Sequence, residues 1–191
     1  MNKFLIASEF IDFDHPTIFQ KAMELSESAN PTKPFDLIKR SFEFVRDEIK
    51  HSSDFKLNPV TCKASEVLSH GTGYCYAKSH LLAALLRANK IPTGLCYQRL
   101  SIAGDGSPYC LHGLNAVYLV DYGWYRIDAR GNKPNVVADF TPPVEKLAFA
   151  VRPPHEYDIP EIFSEPLPMV IATLRKYYTY DEVLKNLPDI E

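Results

Sequence analysis

The sequence predicts an α+β protein in which helices come first, an antiparallel sheet follows, and helices return at the end. Apolar residues recur at helical intervals of three and four before residue 90. Segments rich in aromatic and β-branched residues, joined by a glycine-containing turn, then indicate strands between residues 93 and 130. At 191 residues the chain can bury a core without disulfides, so a single domain over residues 1–191 is predicted.

Two amphipathic helices are predicted near the N-terminus, over residues 17–29 and 34–50. Thr17 is expected to cap the first helix. Pro34 suits the first turn of the second helix, because no intrahelical bond needs its missing N–H there. Turn-forming residues cluster in residues 51–61, which are therefore predicted to form a loop.

A short helix over residues 63–70 and a long helix over residues 75–88 are predicted on either side of a glycine-containing turn. Asn89 is expected to end the long helix in a left-handed conformation, and Pro92 prevents its continuation. In the turn, Gly73 is expected to let a substrate approach the backbone closely.

The predicted strands share a high content of aromatic and β-branched residues and cover residues 93–102, 110–120, 124–130 and 146–153. Residues 133–191 are predicted to be a proline-rich C-terminal extension that holds the last strand and two short helices, over 166–177 and 179–187. Within it, residues 151–168 fit two interpretations, a partial lid over a cleft and a surface strap over the core.

Composition and charge exclude several classes of partner. The chain has 21 basic and 24 acidic residues, a net charge of −3 and no long run of either sign, so binding to nucleic acid or acidic lipid is not expected. The N-terminal apolar patch is too short for a signal peptide or a membrane span, which predicts a cytoplasmic protein. The four cysteines form no CxxC pair, so most are expected to be plain thiols. The sequence leaves the oligomeric state open.

Cys75 stands at the predicted start of the long helix. The first-turn amides of a helix lack intrahelical acceptors and together carry a partial positive charge, so they stabilise a thiolate placed there. The same amides are suited to binding the oxyanion that forms when the sulfur attacks a carbonyl group. This position alone fits both a nucleophile and a small buried thiol. The other cysteines, Cys62, Cys96 and Cys110, lack such a context.

A cysteine nucleophile needs a base, and His112 at the start of a predicted strand is the candidate. Asp128 lies on the returning strand, and pairing of even sum turns both side chains to one face of the hairpin. The order Cys75, His112, Asp128 gives a nucleophile, a base and a carboxylate to orient it. Taken singly, the histidine also fits a half-exposed strand residue and the aspartate a turn former.

The register of the hairpin decides whether this pair can meet. A three-residue turn would separate Asp128 from His112 by four strand positions, beyond hydrogen-bonding reach. A wider loop over residues 119–123, which pairs Tyr118 with Trp124, makes the two residues diagonal neighbours. The wider loop, or an equivalent bulge, is therefore predicted.

The remaining histidines fit the role of base less well; they are His15, His51, His70, His80 and His155. A zinc site would need paired ligand spacings that the sequence lacks, so neither a metal nor a cofactor is predicted.

Two blocks of the sequence resemble the transglutaminase-like superfamily, whose core is a variant of the papain-type cysteine hydrolase fold. They are "KASEVLSHGTGYCYAKSHLLAALLRANKIPTG" and "HGLNAVYLVDYGWYRIDAR", and the upstream "FEFVRDEIKHSSD" is also similar. Together they cover about residues 35–132. The resemblance implies a stand-alone core of bacterial type, with the nucleophile helix packed on an antiparallel sheet. It also implies Cys75 as nucleophile, His112 as base and Asp128 as orienting carboxylate.

The chain departs from the family pattern at three positions outside this triad. Leu114 stands where an aromatic residue is frequent, Asn115 where an acidic residue is frequent, and His51 where a tyrosine is frequent. These departures are expected to affect the choice of substrate.

The resemblance implies an activity that proceeds through a thioester. Because the extra β-domains of the large animal cross-linking enzymes are absent from this sequence, hydrolysis of an amide or peptide bond is predicted, with a peptide or protein amide as substrate. The alternatives are acyl transfer to an amine, as in a true transglutaminase, and a noncatalytic module that binds peptides. The sequence leaves the natural substrate and the second oxyanion donor open.

Overall fold

The computed structural model describes residues 1–33, 35–104 and 106–190, and its architecture is α+β as predicted. The α-helices in these residues are α1 Pro16–Ser28, α2 Asp36–Glu43, α3 Ser52–Phe55, α4 Ala64–His70, α5 Cys75–Ala88, α6 Pro168–Lys176 and α7 Tyr180–Leu184. The strands are β1 Lys50–His51, β2 Thr72–Gly73, β3 Thr93–Ser101, β4 Tyr109–Leu119, β5 Gly123–Ile127 and β6 Tyr157–Asp158. In these described ranges no helix is long and apolar enough to cross a membrane.

The first predicted helix is present as α1, but its cap differs from the expectation. The N-cap is His15, not Thr17, and Pro16 occupies the first helical position. The His15 Nδ1 atom accepts a hydrogen bond from the backbone N–H of Thr17 at 3.4 Å. The proline fixes a helical φ two residues before the first helical position that a Thr17 cap would give.

The second predicted helix is shorter than the sequence indicates. After α2 the chain continues as a π-helical turn over Phe44–Glu48 and then enters β1. Pro34, expected in its first turn, lies outside the described residues. The predicted loop over 51–61 is wrong in its first part, because α3 begins at Ser52. Neither a two-residue strand nor a one-turn helix has enough residues to show a period.

Helix α5 forms the centre of the core and has the predicted bounds. Its middle is buried on every side, which is expected for a helix enclosed by both helices and a sheet. The left-handed residue at its end is Lys90, not Asn89, which has φ −90°. The Asn89 side-chain amide donates to the carbonyl groups of Ala22 and Leu85, and these bonds hold it in a near-helical conformation.

Four antiparallel strands form the main sheet, in the order β5, β4, β3, β6. The predicted register of its hairpin is confirmed, because Tyr118 pairs with Trp124. One further pair, Leu119 with Gly123, closes the loop more tightly than predicted. The other sheet is the parallel pair of β1 and β2, which places His51 beside Gly73.

The predicted strand over residues 146–153 is wrong. That segment makes a single bridge, between Lys146 and Asp139, and the last strand is β6. The Ala148 N–H donates to the Asp128 carboxylate at 3.2 Å. This side chain thus accepts the backbone hydrogen bond that a neighbouring strand would accept in a sheet.

In the C-terminal extension, residues 157–163 form a strap along the sheet, while Arg152 and Glu156 of the same segment line the cleft. Phe163 and Leu95 exchange backbone hydrogen bonds of 2.8 and 2.9 Å beyond the end of β6. The two predicted C-terminal helices are present as α6 and α7, and Val170, Leu174 and Val183 lie in the main core. Cutting the chain near residue 155 would therefore remove core side chains.

Candidate active site

Cys75 is the first residue of α5 and is 7% exposed, at the wall of a cleft. The Gly113 backbone N–H in β4 donates to its sulfur at 3.4 Å. Among the described pairs, β5 reaches along β4 only as far as Asn115, so Gly113 lies beyond the end of that pairing and its N–H meets the sulfur instead of a strand partner.

Close approach of α5 to β4 explains the glycine at position 113. A Cβ atom there would lie 3.0 Å from Tyr76 Cδ1 and 3.1 to 3.2 Å from the Tyr76 backbone. Those distances are shorter than van der Waals contact, so a side chain would separate the helix from the strand. Gly113 thus fixes where the Cys75 sulfur meets the sheet.

His112 and Asp128 lie next to this sulfur and are themselves hydrogen-bonded. The distance from His112 Nε2 to Asp128 Oδ2 is 2.7 Å, and both side chains are buried. Asp128 also accepts backbone N–H bonds from Arg130 at 3.1 Å and Ala148 at 3.2 Å, which fix its carboxylate. Phe149 packs edge-on against the imidazole, with ring centroids 5.0 Å apart. The segment predicted as a strand therefore covers the pair.

The charges of this site favour an imidazolium. Burial opposes the charged ring, but the Asp128 carboxylate and the Cys75 sulfur raise the pKa of His112 to about 10. Burial likewise opposes a charged Asp128, but the imidazolium and the two backbone donors bring its pKa below the usual range. With Nε2–H donated to Asp128, the other ring nitrogen, Nδ1, is left for exchange of a proton with the sulfur.

The other cysteines lie in different surroundings. Burial raises the pKa of the Cys62, Cys96 and Cys110 thiols to about 12. Groups with such values are protonated at neutral pH and react slowly.

A charged cluster on the same cleft was missed by the sequence reasoning. Arg130 makes a two-pronged ion pair with Asp54, at 2.7 and 3.0 Å, and Lys133 reaches the same carboxylate at 2.8 Å. Asp54 is in α3, 76 positions before Arg130, so only the tertiary fold joins them. The closeness of Arg130 to Asp128 in the sequence was the available clue.

His51 lies at the same side of the cleft. Pairing of β1 with β2 places His51 opposite Gly73, which precedes Cys75 by two residues in the sequence. The His51 ring packs edge-on against Tyr74, with ring centroids 5.4 Å apart. Burial, and then the nearby Arg130 charge, lower its pKa well below the usual value. The ring is therefore neutral at physiological pH.

The cleft has a volume of about 370 Å³, which suits a small molecule or a short peptide segment. One end is polar and is formed by His51, Ser53, Asp54, Arg130 and Lys133. The other end is largely apolar and is formed by Leu100, Ile102, Leu111, Leu184 and Leu187. Among the described residues, no group of three or more His, Cys, Asp or Glu side chains is placed to hold a metal ion.

Comparison with protein families gives one match. The model of the transglutaminase-like superfamily matches residues 22–129, more than half of the chain. The chain belongs to the transglutaminase-like superfamily. No curated protein sequence matches it significantly.

Among solved structures, this transglutaminase-like chain is similar to a candidate cysteine protease from Cytophaga hutchinsonii, with TM-score 0.53 and 17% identity. The match covers 66% of this chain and 40% of that one, and it shows a shared fold. The periplasmic domain of TgpA from Pseudomonas aeruginosa, bound to ethylmercury, gives TM-score 0.45 and 18% identity over 66% of this chain and 46% of that one. This chain thus spans less than half the length of either structure.

The departures from the transglutaminase-like pattern have different positions in the structure. His51 lines the cleft, so it is placed where a residue can affect the choice of substrate. Asn115 is fully buried, and its amide donates to Ser79 and Gly94 carbonyl groups at 2.9 and 3.2 Å. Leu114 is in a small apolar cluster with Cys96. The expectation that positions 114 and 115 shape the substrate wall is therefore wrong.

The expected role of Gly73 is wrong as well. Gly73 is buried in β2, and a Cβ atom there would lie 3.2 Å from both Ala77 Cβ and Thr61 Oγ1. Tight packing against α5, rather than access for a substrate, requires the glycine.

Proposed function

We propose that this protein is a cysteine-dependent hydrolase of amide or peptide bonds that acts through a thioester on Cys75, with His112 as the base and Asp128 as the orienting carboxylate. One observation carries the proposal. The Cys75 sulfur, at the start of a helix and on the wall of a cleft, adjoins a buried imidazole bonded to a buried carboxylate at 2.7 Å.

Each side chain would have a distinct part in the reaction. The Cys75 sulfur attacks the carbonyl carbon, an S–C bond forms, and the π electrons of the carbonyl move to its oxygen. First-turn amides of α5 are suited to stabilise that oxyanion. As it collapses, the C–N bond breaks and His112 gives its proton to the leaving amine.

Water completes the cycle. His112, now neutral, takes a proton from water as its oxygen attacks the thioester carbon, and the C–S bond breaks to release an acid. Throughout, Asp128 holds the imidazole in one orientation and stabilises its charged form. The family and the cleft support a peptide or protein amide as the substrate.

An activated ester tests this chemistry without knowledge of the natural substrate. p-Nitrophenyl acetate should release a burst of nitrophenolate and leave one acetyl group on Cys75, detected by intact mass and peptide mapping. Cys75→Ser and His112→Gln should abolish the burst, while Cys62→Ser, which removes a buried thiol away from the cleft, should not change it. Acetylation of Cys75 no faster than of Cys62 would favour a noncatalytic peptide-binding module.

The same acetyl-enzyme separates hydrolysis from transfer. Its decay is followed with and without a primary amine such as glycine methyl ester. Hydrolysis to acetate should dominate at millimolar amine, whereas an amide product that forms faster than acetate would establish an acyl transferase instead.

A further inference from the structure

The polar end of the cleft carries more cationic than anionic groups. Two cations, Arg130 and Lys133, share the single carboxylate of Asp54. One carboxylate balances one of these charges, so the cluster has one positive charge in excess.

The rest of the cleft wall does not cancel this excess. Outside the triad, the only other formally charged residues lining the cleft are Arg152 and Glu156, among the described residues, and they pair with each other at 3.3 Å. The neutral His51 adds no charge at this end. Outside the triad, the lining of the cleft therefore carries one positive charge in excess, although the chain as a whole has a net charge of −3.

Both cations have hydrogen-bonding capacity left for a ligand. The Lys133 side chain is 42% exposed, and its ammonium has three N–H groups, of which the bond to Asp54 uses one. Arg130 is mostly buried, and Asp54 and the Phe149 ring, 5.7 Å from its guanidinium carbon, hold it in place. A preorganised guanidinium beside an exposed ammonium suits a carboxylate, to which both can donate charge-assisted bonds.

We propose that the Arg130–Lys133 end of the cleft is a carboxylate-binding subsite, so that the preferred substrate carries a carboxylate group close to the amide that Cys75 attacks. This proposal rests on the proposed hydrolase function and names the substrate class. At the opposite, largely apolar end Arg152 is already paired with Glu156, so a carboxylate buried there among leucine side chains would be stabilised less than one beside Arg130 and Lys133. The two ends would therefore fix the direction in which a substrate lies.

Alkylating reagents test the subsite independently of any natural substrate. N-iodoacetylglycine and N-iodoacetylglycinamide differ only in a carboxylate against a neutral amide, and each alkylates a thiolate with loss of iodide. In the wild-type protein Cys75 should react about five-fold faster with the anionic reagent, because the positive cluster raises its local concentration.

Charge reversal at one position provides the decisive comparison. Lys133→Glu should abolish or invert the preference for the anionic reagent, measured as the ratio of the two labelling rates, while Lys133→Gln should give an intermediate ratio. Lys39→Glu is the matched control, because it makes the same change of net charge at an exposed lysine on α2. The control should keep the wild-type ratio.

Three results would overturn the subsite. They are a wild-type ratio near one, a ratio that Lys133→Glu leaves unchanged, and an equal loss in Lys39→Glu, which would indicate a general charge effect. If one of these results is found while Cys75 is still labelled rapidly, the hydrolase proposal stays intact. Labelling of Cys75 by both reagents no faster than that of Cys62 would reject the subsite and the hydrolase together.

Discussion

The backbone N–H of Gly113 donates to the sulfur of Cys75 at 3.4 Å, and this bond joins the central strand to the first residue of the buried helix. The sulfur lies at the positive end of α5, and this backbone donor fixes its position against the strand. The Cys75 sulfur is thus positioned by packing between a helix and a sheet, next to His112.

Gly113→Ala tests this packing. Its Cβ would press on the Tyr76 backbone, so we expect a loss of stability of about 1–3 kcal/mol and at least a ten-fold slower alkylation of Cys75 by iodoacetamide. Gly94→Ala is the control, since its Cβ would collide with Ile162 on the same sheet but away from the sulfur. It should destabilise the protein in urea and leave the labelling rate as it is. Equal slowing in both variants would mean that general loosening explains the effect.

The reactivity of Cys75 should persist at acidic pH. An ordinary thiol has a pKa of about 8.5, so at pH 6 only about 0.3% of it is thiolate. Because the His112 imidazolium adjoins the Cys75 sulfur, whereas burial raises the pKa of the Cys110 thiol on the same cleft to about 12, we expect Cys75 to be labelled at pH 6 about 10- to 100-fold faster than Cys110.

The matched variant for this experiment is His112→Gln, in which the pH dependence of Cys75 labelling should move to that of an ordinary thiol. Peptide mapping after timed alkylation measures both cysteines in one sample. A variant that labels as fast as the wild type at pH 6 would remove His112 from the role of base.

Asp128→Asn should slow the acetylation of Cys75 without blocking access to the cleft. The amide cannot stabilise the imidazolium, so we expect acetyl transfer from p-nitrophenyl acetate to Cys75 to fall by a factor of about 10² to 10⁴. Asp121→Asn, at an exposed position in the hairpin loop, makes the same chemical change as a control and should keep the full rate. A loss below three-fold in Asp128→Asn, in a folded variant, would contradict the orienting role.

Local patterns were sufficient to predict α5 and the hairpin register. The helix follows from a continuous run of helix formers that starts at Cys75, and the register follows from the requirement that His112 and Asp128 lie within hydrogen-bonding reach of each other. Both features need only nearby residues. Whether these side chains perform catalysis stays a prediction, although the structure brings them within hydrogen-bonding distance.

Features set by distant contacts could not be predicted in this way. The segment around Ala148 looked like a strand because it is apolar, but its backbone bonds to a carboxylate 20 positions earlier. The ion pair of Arg130 with Asp54 depends on the docking of α3, a helix too short to show periodicity. Such contacts depend on the three-dimensional path of the chain rather than on any local pattern.

The His112–Asp128 pair should also make stability depend on pH. Partners in the folded protein raise the pKa of His112 to about 10, whereas an unfolded histidine titrates near 6.5. A raised pKa contributes stability that is fully present below pH 6.5 and is lost as pH rises through the folded value. The free energy of unfolding of the wild type, relative to His112→Gln, should therefore decline between pH 6.5 and pH 10, by roughly 4 kcal/mol. Urea titrations at pH 6.5, 8 and 10 measure this free energy of unfolding. The control is His155→Gln, a substitution at an exposed histidine. A difference that stays constant or grows with pH would show that His112 is not held in its charged form.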